Sequence, residues 1–118
     1  MMRIKALNKN EISAVEEFKN ILLKTFSDNI EMIKLYGSKG RGNYHTESDI
    51  DIFVLVNKGD WRLRDKMVDI SSDLLLKYEV LLSPSVVNKQ EYENMKRLGI
   101  TYIKNVEKEG IDVWKKKH

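Results

Sequence analysis

The seven residues Ile50 to Val56, IDIFVLV, constrain this chain more than any other stretch. Both alternating faces of the run are apolar except at Asp51, so a strand built from it has no side to show to water. Such a strand belongs in the interior of a sheet covered on both faces. Directly before it comes Asp49, giving the triplet Asp49-Ile50-Asp51 at the mouth of the buried run. Residues two apart in a strand project from one face, which sets the two carboxylates on the same side with Cα atoms roughly 6.5 to 7 Å apart. Like charges held that close to an apolar core repel and lose hydration. No lysine or arginine follows within the strand to relieve them. A divalent cation would, and hard oxygen ligands favour magnesium or manganese. The plainer reading of an isolated Asp-x-Asp is an aspartate that caps a turn ahead of a strand.

The rest of the chain supplies cover for that sheet. Residues 8 to 26 carry Ile12, Val15, Phe18, Ile21, Leu22 and Phe26 at three- and four-residue steps, one stripe of a helix. Asn8 followed three residues later by Glu11 forms a capping box at its start. EMIKLYG, 31 to 37, reads as a strand ending at Gly37, and NKGD, 57 to 60, as a turn. A second amphipathic helix spans 61 to 78, with Leu63, Met67, Ile70, Leu74 and Leu75 inward. EVLLSPSVV, 79 to 87, is a third strand, and Pro84 within it predicts an edge position or the strand's end. Residues 88 to 109 hold one or two short helices, Gly110 stops the last, and IDVW adds a final extended segment. The fold class is α/β (α+β), a short sheet covered by helices, in one domain over 1–118.

Composition bounds the function classes. With 42% hydrophobic and 33% charged residues the chain is ordinary globular material. There is no cysteine, which excludes disulfides and thiolate metal sites. The N-terminal MMRIKALNKNE lacks the apolar core of a signal peptide and no apolar run reaches membrane-span length, so the expected location is cytoplasmic. A net charge of +3, much of it in Lys115, Lys116 and Lys117, is no strong nucleic-acid signal. With His45 and His118 the only histidines, a zinc site lacks ligands.

Two further features bear on the acid pair. Glu79 opens the third strand in this reading, where a neighbouring strand brings it to the same end of the sheet. Three convergent carboxylates fit two metal ions about 3.5 to 4 Å apart, an arrangement suited to in-line phosphoryl displacement. Gly37 and Ser38 follow the first strand directly; a glycine there admits a phosphate to the backbone and the serine adds a hydroxyl donor. Lys39 and Arg41 add cationic contacts, arginine in a bidentate fashion. The bland alternative is a glycine-rich turn with solvated bases, and the segment is no Walker loop. Tyr36 and Tyr44 flank the segment, and structural roles are the plainer reading for both. For Trp61 and Trp114 the sequence does not choose between packing and a partner interface.

Gly37-Ser38, ten intervening residues and Asp49-Ile50-Asp51 ahead of an apolar run together resemble the signature of the DNA polymerase β-like nucleotidyltransferase superfamily. The small size resembles its minimal nucleotidyltransferases, the MNT proteins, and TYIKNVEKEGIDVW, 101 to 114, resembles the close of such domains. The resemblance implies a two- or three-layer nucleotidyltransferase fold with a short mixed sheet. It implies that Gly37 and Ser38 bind the triphosphate of ATP, with Lys39 and Arg41 beside them. Asp49, Asp51 and Glu79 would hold two Mg²⁺ ions (or Mn²⁺), although the family often has aspartate at the third position. It further implies AMP transfer to a hydroxyl, a tyrosine of a helical HEPN-domain toxin, with this chain as the antitoxin in a homo- or hetero-oligomer. The alternatives are a non-catalytic antitoxin that works by contact alone and a transferase for a small hydroxylated molecule such as an aminoglycoside.

Overall fold

A computed structural model describes residues 7–36 and 49–117. Helix α1 (Lys9–Phe26) starts at the expected capping box: the Glu11 amide donates to Asn8 Oδ1 and the Asn8 amide to Glu11 Oε1, both at 2.8 Å. Two of the amides that a helix start leaves unpaired are thereby satisfied by side chains. A short 3₁₀ turn, Ser27–Asn29, leads into β1 (Ile30–Tyr36). Then come β2 (Ile50–Val56), α2 (Trp61–Tyr78), β3 (Leu82–Asn88), α3 (Lys89–Arg97), α4 (Thr101–Glu109) and β4 (Ile111–Lys115).

The four strands form one sheet in the order β3-β2-β1-β4. β1 runs antiparallel to β2 and to β4, while β3 runs parallel to β2, with α2 making the crossover that a parallel pair requires. The sheet is therefore mixed, with IDIFVLV in its interior as the two-sided hydrophobicity demands. Ile50, Ile52, Val54 and Val56 join a core with Val15, Phe18 and Leu22 of α1 and Met67 and Leu74 of α2. From the opposite face Phe53 and Leu55 join a second core with Tyr92 of α3 and Ile103 and Val106 of α4. Helices thus cover both faces, and the layering is α, β, α.

Three local readings are refined. Leu75 is 40% exposed while Leu74 is buried, because neighbours in a helix point about 100° apart and the core face of α2 centres on Met67, Ser71 and Leu74. Ser71 tolerates burial because its hydroxyl donates to the Val68 carbonyl at 2.7 Å. The third strand begins at Leu82, not at residue 79, since α2 runs to Tyr78 and Glu79 is its C-cap in the left-handed region at φ 57. Pro84 lies on an edge strand, as its missing amide requires. Ile50 donates its amide to the Leu81 carbonyl at 3.0 Å. Alternation then turns the odd-numbered amides of β3 toward β2 and the even-numbered ones outward, so Pro84 removes a donor that would have faced the open side.

The α3–α4 layer is held by few polar contacts, of which one is short. The Tyr92 hydroxyl donates to Glu107 Oε2 at 2.6 Å, and burial together with that carboxylate raises the Tyr92 pKa. Tyr92→Phe is expected to lose about 1–2 kcal/mol of unfolding free energy, the worth of a hydrogen bond to a charged acceptor that keeps a second partner in Lys96. Urea denaturation followed by circular dichroism checks this. A midpoint unchanged from that of the native chain would show that the contact contributes nothing.

Candidate active site

β2 carries the acid pair to the end of the sheet where β1 finishes. Asp51 is paired in register with Tyr36, the last residue of β1, on one side and with Ser83 of β3 on the other. Side chains opposite one another in a sheet share a face. For these three it is the face of Phe53 and Leu55, the one that α3 and α4 cover. Asp49 stands just ahead of β2, exposed, and its Oδ2 accepts a hydrogen bond from Ser83 Oγ at 2.9 Å. The two carboxylates are close enough to feel one another. Asp51 is itself exposed as a residue, yet its pKa is raised, first by partial loss of hydration at the carboxyl and then by the negative charge of Asp49. A carboxylate whose ionisation is made costlier by a second one beside it fits a divalent cation.

Tyr102, at the start of α4, closes this face. Its ring lies 5.8 Å from that of Tyr36, edge-on at 86°, and 6.3 Å from that of Phe53. The Tyr102 pKa is raised, chiefly by burial, with the neighbouring Ser85 side chain opposing the shift and the charge of Asp51 adding to it. Ser83 and Ser85 thus lie along β3 beside Asp49 and Tyr102, and Ser83 bonds Asp49 directly. Neither Ser83 nor Tyr102 was among the residues singled out from the sequence. The signal for the serines was the alternation Ser83-Pro84-Ser85 on a strand parallel to the acid-bearing one. For Tyr102 no local signal existed, since its place depends on how α4 packs.

Glu79 does not join the pair. It is exposed at the C-cap of α2, its amide donating to the Leu75 carbonyl at 2.9 Å, and it opens no strand. Among the described residues no group of three His, Cys, Asp or Glu side chains is placed to hold a metal ion. The pair alone still fits magnesium, which is commonly bound through one or two carboxylates with waters and substrate phosphates completing its shell. Gly37, Ser38, Lys39 and Arg41 lie outside the described residues. What is described is that the residues flanking their segment, Tyr36 and Asp49, stand at the same end of the sheet. A hollow of about 440 Å³ lined by Val56, Asp60, Trp61, Arg64, Val86 and Asn88 sits at the other end of β2 and β3, away from the acids.

The family model described as Polymerase beta, Nucleotidyltransferase matches residues 16–118. The chain belongs to the polymerase beta nucleotidyltransferase family. Two Methanocaldococcus jannaschii proteins, both provisionally named protein adenylyltransferases, are similar to this nucleotidyltransferase. One is 31% identical over 86% of this chain and 97% of its own length, the other 39% identical over 86% and 95%. Solved structures share the fold. One chain of a toxin–antitoxin complex with AMP-PNP superposes with a TM-score of 0.57 at 22% identity, over 86% of this chain and 74% of that one. A Sulfolobus solfataricus protein provisionally assigned as a nucleotidyltransferase gives 0.55 at 19%, over 98% and 93%. A chain of the MntA-HpeT toxin–antitoxin gives 0.54 at 21%, over 94% and 76%. In this nucleotidyltransferase the acid pair stands at the head of a covered central strand. Among the described residues no helix is long and apolar enough to cross a membrane.

Proposed function

We propose that this nucleotidyltransferase moves AMP from ATP to a hydroxyl of a partner protein, a tyrosine of a helical HEPN-domain toxin, and thereby acts as its antitoxin. The observation that carries the reading is the acid pair itself. Asp49 and Asp51 lead a buried central strand, the charge of Asp49 raises the Asp51 pKa, and Asp49 takes a hydrogen bond from Ser83. The names of the M. jannaschii relatives support a protein as acceptor, and the toxin–antitoxin setting of two structural neighbours supports a toxin as that protein.

In this reading Asp49 and Asp51 hold Mg²⁺, which when bound neutralises the charge of the triphosphate and polarises its phosphorus. Gly37 and Ser38, with Lys39 and Arg41, bind the phosphates. The acceptor oxygen forms a bond to the α-phosphorus as the bond to the bridging oxygen breaks, pyrophosphate leaves, and the hydroxyl proton passes to the acid pair or to water.

A second reading is favoured by one observation. With Glu79 on a helix cap the described site has two carboxylates and not three, as a contact-only antitoxin that has no need of chemistry would tolerate. Mixing the chain with its partner, Mg²⁺ and ATP labelled at the α-phosphate separates the two. Label on the partner that is lost with Asp49→Asn supports transfer. Neutralisation of the toxin without any label, surviving the same substitution, supports contact alone. Label passed to an aminoglycoside without the partner overturns both.

A further inference from the structure

The position on β3 paired in register with Asp51 is the natural place for a third acidic ligand, because a side chain there shares the face of the pair. In this chain it is Ser83. Its hydroxyl donates to Asp49 Oδ2 at 2.9 Å, and the residue is half-buried on a strand fixed along its whole length to β2. Asp49, in contrast, lies ahead of the strand, exposed, with no ladder of its own to fix it. A carboxylate in that setting rotates freely unless something holds one of its oxygens. Serine does so from a rigid neighbour, and its bond is to Oδ2, so Ser83 does not occupy Oδ1.

We propose that Ser83 is the positioning residue of the acid pair, standing where a third carboxylate would and orienting Asp49 so that one of its oxygens is presented with those of Asp51 to a divalent cation. The inference rests on the nucleotidyl-transfer reading. It goes beyond that reading in giving the chain a two-carboxylate centre completed by a hydrogen bond, in place of a three-carboxylate one. Residues that orient a metal's ligands typically alter affinity about 10- to 100-fold when removed. The alignment of Ser83 also carries a converse: aspartate at this position would turn a supporting group into a ligand.

The test is Mn²⁺ binding by the full chain, read from the electron paramagnetic resonance signal of the free ion, with no nucleotide and no turnover involved. Ser83→Ala is expected to weaken binding about tenfold, and Ser83→Thr, which keeps the hydroxyl, to stay within about twofold of the native chain. Ser83→Asp is expected to tighten binding about tenfold, the third oxygen donor outweighing the added repulsion once the ion is present. If Ser83→Ala binds as the native chain does while Asp51→Asn loses the ion, the role of Ser83 is overturned and the transfer reading stands. If Asp49→Asn and Asp51→Asn both bind as the native chain does, the two fall together. Should Ser83→Ala fail to fold, the other two variants decide. Retention in Ser83→Thr with tightening in Ser83→Asp supports the proposal, and loss in the first or no gain in the second defeats it.

Discussion

Asp51→Asn is expected to cut AMP transfer about 100- to 1,000-fold, the usual scale for removing a group aimed at developing charge, while leaving the chain folded and slightly more stable. The second half follows from the sign of the pKa shift. Packing around the carboxyl and the neighbouring Asp49 raise the Asp51 pKa above its ordinary value of about 3.9. A raised acid binds its proton more tightly in the folded state. Its favourable contribution is therefore complete below the unfolded pKa and is lost as pH rises through the folded one. At neutral pH the ionised Asp51 is a net cost, and asparagine removes it. Melting temperatures at pH 7.5 and near pH 4 check this: the variant melts above the native chain at the higher pH, and the gap closes at the lower. Magnesium is expected to raise the melting temperature of the native chain and not that of the variant, since a ligand stabilises only the protein that binds it. A variant that melts below the native chain at pH 7.5 would contradict the account of a site kept strained for its ion.

Phe53→Ala is expected to cost about 3–5 kcal/mol, the scale for emptying a fully buried aromatic position. Phe53 is 1% exposed, two residues beyond Asp51 on the same face, and its ring lies 6.0 Å from that of Tyr92 and 6.3 Å from that of Tyr102. It is the side chain of the central strand that both α3 and α4 rest on. Against a typical total of about 5–15 kcal/mol, a loss of this size leaves the chain marginal. Phe53→Leu, which keeps most of the volume, is expected to lose about 1–2 kcal/mol and allows the site to be assayed. Hydrogen exchange distinguishes where the loss falls. Amides of α4 are expected to open well before those of α1, whose core lies on the other side of the sheet. Uniform acceleration along the chain would mean that the two layers melt as one.

How much of this was legible in the sequence depended on how local each determinant was. The capping box Asn8–Glu11, the doubly apolar run Ile50 to Val56, the edge position of Pro84 and the stop at Gly110 are set by a few neighbouring residues, and each was readable. Family membership was readable too, because Gly37-Ser38 and Asp49-Ile50-Asp51 carry it in their spacing. Glu79 was misplaced because Val80, Leu81 and Leu82 together read as the start of the strand, whereas only Leu82 onward pairs with β2. The helix ends there on a left-handed residue that is not glycine, so the usual punctuation was missing. Leu75 was counted inward because either of two adjacent leucines satisfies a helical period. Ser83 and Tyr102 were invisible for a different reason. One depends on the register between two strands separated by a whole helix, which the alternation Ser83-Pro84-Ser85 does not by itself reveal, and the other on the docking of a helix near the end of the chain.

Pro84 has a consequence for company as well as for register. An extended segment from another molecule that tried to lengthen the sheet at β3 would meet a gap in the middle of the row of bonds on which such growth relies. That flank is thereby guarded against strand-by-strand stacking into fibres.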